Sequence, residues 1–178
     1  MNQDLETILF TEEQLKERIK QLGAQITKDY EGKKVFLIGI LRGCFVFMAD
    51  LARAIDLPCV LDFMAVSSYG NKAKSSGAVK ITKDLNSDIE GYDVIVVEDI
   101  LDSGVTLNYL VKYLAGRNPA SVKICTLLDK PEGRKAPINA DYVGFEVPKA
   151  FIVGYGLDYA EKYRNLPYIG ILKPEIYM

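Results

Sequence analysis

The sequence predicts an α/β fold with a mostly parallel central sheet flanked by helices, and two patterns predict it. Residues 35–41 and 94–97 are apolar β-formers in unbroken runs, with no polar residue alternating. Strands buried on both faces read this way, and such strands belong to parallel sheets covered by helices. Stretches with helical spacing lie between the strand-like runs, so the two element types alternate along the chain. At 178 residues and 49% hydrophobic, the chain fits one domain, 1–178, with a core of its own. No repeat, low-complexity tract or Pro/Ser-rich linker divides it.

The elements follow in order. A helix is expected from about Thr11: Thr11 and Gln14 form a capping box, Phe10 can staple onto Leu15, and Leu15, Ile19, Leu22 and Ile26 line one face. Gly32 ends that segment, and the first buried strand runs over 35–41. Residues 45–52 form the next helix and 60–66 the next strand. Residues 67–77 are small, polar and glycine-rich, and cannot pack a core. A mobile loop is expected there, longer than the usual ~4–6 residues and so a candidate for function. After the strand at 94–97, Leu107, Leu110, Val111 and Leu114 repeat at helical spacing, and apolar runs at 122–128, 142–145 and 151–155 complete the set.

Composition excludes several chemistries. There is no histidine, which removes Ser-His-Asp triads, Cys-His dyads and every zinc site that needs imidazole. Any general base must be Asp, Glu, Lys, Tyr or Cys. Lys and Arg number 22 against 24 Asp and Glu, for a net charge of −2, so general nucleic-acid binding is disfavoured. Cys44, Cys59 and Cys125 are too widely spaced for a CxxC metal site and sit among apolar neighbours, which reads as buried thiols in a reducing compartment. The first six residues are acidic where a secretory signal would be basic, and the longest apolar run is far short of the ~18 residues of a membrane span. A cytoplasmic protein with no membrane contact is expected.

The informative segment begins at Val94. A buried strand leads into Glu98 and Asp99, then Asp102-Ser103-Gly104-Val105-Thr106, which opens a helix. Ligands of open α/β sheets bind at the carboxyl ends of the strands, where this loop must lie. Backbone N–H groups at a helix N-terminus, with the Ser103 and Thr106 hydroxyls, suit a phosphate. Glu98 and Asp99 would repel that phosphate, but suit vicinal sugar hydroxyls or magnesium. Phosphate at one end and a diol at the other suggests a ribose 5-phosphate. The competing reading makes Asp102 a helix cap and the acid pair a solvated corner.

This segment resembles the phosphoribosyl pyrophosphate signature of the type I phosphoribosyltransferases: a hydrophobic strand, two acids, then Asp-Ser-Gly-x-Thr. Leu41-Arg42-Gly43, Ser68-Tyr69, Asp129-Lys130, and the stretches 143–148, 151–159 and 163–166 narrow the resemblance to the hypoxanthine-guanine phosphoribosyltransferases, over about residues 35–172. The resemblance implies the type I phosphoribosyltransferase fold, with a small hood formed from the N- and C-terminal segments. It also implies Mg2+ as cofactor, phosphoribosyl pyrophosphate, hypoxanthine and guanine as substrates, and a homodimer or homotetramer.

Roles carry over residue by residue. Asp102 is the expected general base, taking a proton from purine N7 while N9 attacks the anomeric carbon. Glu98 and Asp99 hold the ribose hydroxyls and associated magnesium, and Ser103, Gly104, Val105 and Thr106 hold the 5-phosphate. Leu41, Arg42 and Gly43 form the pyrophosphate loop, with a cis peptide in family members. Ser68 and Tyr69 belong to the catalytic loop, and Arg164 contacts the departing pyrophosphate. Lys130 donates to the 6-oxo group, Phe151 stacks on the base, the Ile152 backbone reads its edge, and Asp158 binds the second magnesium.

Taken without the family, Phe151 reads as core, Lys130 as readily as part of a solvated basic turn, and Arg42 as a surface cap. Two departures stand out: Ala150 precedes the aromatic where some relatives carry lysine, and Cys44 follows Gly43 where a small residue is common. Rival readings are a nucleotide-sensing regulator on the same fold, disfavoured by the acidic balance and by Asp102, and an enzyme of the family specialised for xanthine or guanine.

Overall fold

The computed structural model describes residues 1–68 and 79–178. Its main sheet has the order β4-β3-β2-β5-β6-β7, from β2 (Val35–Leu41), β3 (Cys59–Ser68), β4 (Val79–Lys83), β5 (Asp93–Leu101), β6 (Ser121–Asp129) and β7 (Tyr142–Glu146). All neighbours run parallel except β4, which returns antiparallel beside β3. Strands β1 (Leu5–Phe10), β8 (Ile152–Val153) and β9 (Ile169–Leu172) make a smaller antiparallel sheet, with β9 in the middle.

The unalternating runs are buried on both faces. Val35 and Leu37 of β2, with Ile95 and Val97 of β5, join a core with α1 (Glu12–Asp29) and α2 (Phe45–Ala54). Phe36, Ile38, Val94 and Val96 point the other way, into a core with α3 (Val105–Ala115). Each helix therefore covers one face, and the strands end together at the edge where the acids lie. The capping box at Thr11 and Gln14 is present, starting α1. Phe10 stacks on Phe145 at 4.0 Å, with both rings against the core that holds Leu15.

Several expectations need correction. The N-terminal segment forms β1, and Ile169–Leu172 forms β9; β1 is half exposed and β9, though mostly buried, is only four residues long, so neither stands out as an apolar run of its own. β4 also goes unpredicted, because its residues alternate between half-buried and exposed as the edge of the sheet. Ser67 and Ser68 continue β3 and pair with Lys80 and Val79, so they are strand and not loop; residues 69–77, expected to be a mobile loop, lie outside the described residues. The run at 151–155 keeps only two strand residues before the chain turns back at Gly154 and Leu157. Cys59 is half-exposed, whereas Cys44 and Cys125 are buried. Among the described residues, no helix is long and apolar enough to cross a membrane.

Candidate active site

Strand β5 continues past its apolar run: Glu98 pairs with Thr126 and Leu101 with Asp129. The acid pair thus sits on the carboxyl end of a central strand, and not in the loop after it. Burial and the adjacent Asp99 push the Glu98 carboxyl well above its ordinary value, and burial likewise raises Asp99. Two half-buried neighbouring carboxylates at the wall of a cleft favour a cation or a pair of hydroxyl donors. Gly43 lies against this pair, and a Cβ there would run into the Asp99 carboxylate. The buried Cys44 thiol is pushed up by its burial and by the same two acids, which keeps it protonated and unreactive.

The peptide between Leu41 and Arg42 is cis. Arg42 follows at the end of β2 and pairs with Glu161 at 2.5 Å. Downstream of β5, Gly104 adopts φ +74° as the N-cap of α3, with no side chain capping the helix, so Asp102 is not a cap. Ser103 Oγ accepts from Val105 N at 3.4 Å. The Ser103 carbonyl is held from below by the backbone N–H groups of Lys135 and Ala136. Arg134 donates to the Asp102 carbonyl at 3.1 Å and also pairs with Asp129. Sequence reasoning missed Arg134 as a support, since its partners are brought close only by the β5–β6 pairing.

These groups border a cleft of about 340 Å³ whose wall includes Leu41, Arg42, Gly43, Ser103, Gly104, Thr106 and Arg164. A second cleft of about 250 Å³ is lined by Lys130, Ala150, Phe151, Ile152 and Leu157. Asp99, Ile100, Asp102 and Asp158 border both, so the clefts adjoin along these four residues. Val105 lies just behind, as the first residue of α3.

Lys130 is not part of a solvated turn: its side chain is 15% exposed and its Nζ stands 3.0 Å from Asp102 Oδ2. Phe151 lines the second cleft, with Tyr177 stacked on it at 4.8 Å and Tyr159 edge-on at 5.3 Å. Neither tyrosine reaches the cleft, so one face of the Phe151 ring is backed by protein. Lys149 points into a neighbouring hollow with Lys130, Arg134 and Lys135, leaving Ala150 to line the second cleft. Arg164 is held by the Gly156 carbonyl at 2.8 Å and by Asp158 at 2.8 Å. Ser68 ends β3, and Tyr69 lies outside the described residues.

The donor set suits magnesium in a particular way. Among the described residues, no three Asp, Glu or Cys side chains converge as a closed metal cage. Glu98, Asp99 and Asp158 all line the larger cleft. Magnesium keeps its waters and takes one or two carboxylates together with substrate oxygens, which matches open carboxylates facing a cleft.

The phosphoribosyl transferase domain family matches residues 7–160. The chain is 57% identical over 177 residues to the hypoxanthine-guanine phosphoribosyltransferase of Bacillus subtilis (strain 168), covering 99% of this chain and 98% of that one. A crystal structure of a hypoxanthine phosphoribosyltransferase from Staphylococcus aureus matches with a TM-score of 0.97 at 53% identity, covering 100% of this chain and 97% of that one. A mutant hypoxanthine phosphoribosyltransferase from Trypanosoma cruzi, solved as a ternary substrates complex, matches with a TM-score of 0.94 at 46% identity over 99% and 100% of the two chains.

Proposed function

The chain belongs to the phosphoribosyl transferase family and has the type I fold of its hypoxanthine-guanine branch; from that premise we propose that it salvages purines. It transfers the 5-phosphoribosyl group of phosphoribosyl pyrophosphate to N9 of hypoxanthine, and of guanine, giving IMP or GMP and pyrophosphate.

The observation that carries this reading is the Lys130–Asp102 pair at the junction of the two clefts. A 6-oxopurine presents O6 and N7 side by side on one edge. Lys130 donates to O6, and Asp102 accepts the proton leaving N7 as N9 attacks. Adenine would set its 6-amino group against a lysine donor and leave both unpaired. Phe151 stacks on the base from within the smaller cleft and Ile152 reads its edge. Ser103, Gly104, Val105 and Thr106 hold the 5-phosphate at the start of α3. In the larger cleft, Leu41, Arg42, Gly43 and Arg164 hold the pyrophosphate, and Ser68 and Tyr69 are carried over from the family as further substrate contacts.

Glu98 and Asp99 would hold the ribose hydroxyls and a magnesium ion, and Asp158 a second, and these ions would supply positive charge to balance the diphosphate. The chain works in this reading as one domain, 1–178, with the three-stranded sheet as hood. It acts in the cytoplasm as a homodimer or homotetramer, with no nucleic-acid or membrane partner.

Ultraviolet absorbance during incubation with phosphoribosyl pyrophosphate, magnesium and each of hypoxanthine, guanine, xanthine and adenine tests the proposal. IMP and GMP formation without AMP is expected. No turnover with any base by folded, magnesium-replete protein, or a preference for adenine, contradicts it.

A further inference from the structure

One side chain outside both clefts joins the two guanidiniums assigned to pyrophosphate. Glu161 accepts from Arg42 at 2.5 Å through one oxygen, and its other oxygen stands 3.7 Å from Arg164. Glu161 does not line the larger cleft, whereas Arg42 and Arg164 both do. We propose that Glu161 sets the affinity for pyrophosphate: from outside the cleft its carboxylate engages guanidinium donors of Arg42 that a diphosphate in the cleft would take, and an entering diphosphate must draw Arg42 away from it. The inference rests on the reading of those two arginines as pyrophosphate contacts.

The local backbone is built to present this side chain. Ala160, Glu161 and Tyr163 all have positive φ, at +50°, +66° and +76°. Residues with a Cβ adopt that region at a cost, and a cluster of them persists only where surrounding contacts over-determine the chain. Here Tyr159 and Lys162 exchange backbone hydrogen bonds, the Glu161 N–H donates to Asp158 Oδ2 at 3.0 Å, and the Tyr163 hydroxyl bonds to Asp4 at 3.0 Å. The turn aims Glu161 across 119 residues of sequence at Arg42.

The strengths are graded in a useful way. The Arg42 and Glu161 side chains are 66% and 59% exposed, and ion pairs in contact with water are weak. Arg164 is 20% exposed and keeps the nearer Asp158 as its main partner, so its hold is firmer. A guanidinium takes a carboxylate or a phosphate with the same fork of N–H donors. A diphosphate carries more charge than one carboxylate and displaces Glu161 from Arg42 first. On departure of the product, the carboxylate returns. Glu161 thereby weakens the binding of phosphoribosyl pyrophosphate and pyrophosphate alike and eases product release, without touching the purine.

The test is Glu161→Gln, which keeps size at an exposed position, with thermal unfolding as the check on folding. Titration calorimetry with magnesium pyrophosphate should give a Kd about two- to fivefold lower than wild type, the size expected for loss of one competing exposed ion pair. KM for phosphoribosyl pyrophosphate should fall in step, while KM for hypoxanthine stays constant. In an Arg42→Gln background the same change should have no effect, because the competition acts through Arg42. Weaker or unchanged pyrophosphate binding in Glu161→Gln would overturn the inference, since a residue that only orients Arg42 would lose affinity when neutralised. A wild-type protein that neither turns over nor binds pyrophosphate would instead remove the reading beneath it, and the inference with it.

Discussion

The Lys130 ammonium lies 3.0 Å from the Asp102 carboxylate, although 28 residues separate them and they arise from the ends of neighbouring strands. The Lys130 N–H also bonds to the Leu101 carbonyl at 3.0 Å, so backbone and side chain together fix the pair's spacing. Donor and acceptor stand side by side before any purine arrives. This preorganisation is how a site discriminates by hydrogen bonding rather than by shape alone.

Replacing Lys130 by Met keeps the bulk and removes the donor. A hydrogen bond to a charged group is worth ~1.5–3 kcal/mol, so kcat/KM for hypoxanthine should fall about 10- to 100-fold. Discrimination against adenine should shrink at the same time. Steady-state kinetics with both bases checks this, and unchanged selectivity would show that the 6-position is read elsewhere.

Tyr177 backs Phe151, and aromatic pairs of this kind contribute ~0.5–1.5 kcal/mol beyond buried area. The Tyr177→Ala variant should raise KM for hypoxanthine about two- to tenfold and leave KM for phosphoribosyl pyrophosphate in place. An equal rise in both would indicate general loosening of the hood instead of a displaced stacking ring.

Much of this was legible in the residues, and the remainder was not for identifiable reasons. The two-faced burial of β2 and β5 follows from unbroken apolar runs, and the start of α1 from Thr11 and Gln14. The meeting of a strand end with the Ser103–Thr106 turn follows from the order of residues. Strands β1 and β9 were not, because Leu5 and Leu172 bury each other only after the chain has returned across more than 160 residues. The Glu161–Arg42 pair escaped for the same reason. The strand expected over 94–97 runs on through Glu98 and Asp99 to Leu101, because pairing with β6 carries the acids inside it.

Asp62, buried beside β4, gives a prediction for pH. Burial alone would raise its carboxyl, but the backbone N–H groups of Phe63 and Asn86 and the Lys83 ammonium outweigh burial and hold it below the ordinary range. A lowered folded value means that the carboxylate stabilises the fold above the unfolded value of ~3.9, and that this contribution is lost as pH falls below it. Asp62→Asn should therefore cost about 1.5–3 kcal/mol at pH 7 in urea unfolding. The gap to wild type should narrow as the solution is acidified through that range. A gap independent of pH would mean that shape, not charge, matters there.

The most direct test of the account is the rate of IMP formation in a single turnover by wild type and by Asp102→Asn, each saturated with hypoxanthine, phosphoribosyl pyrophosphate and magnesium. A positioned general base contributes roughly 10²- to 10⁴-fold, so the variant should bind both substrates and form IMP slower by that factor. Equal rates in the two proteins would contradict the assignment of Asp102 as the base at the junction of the clefts.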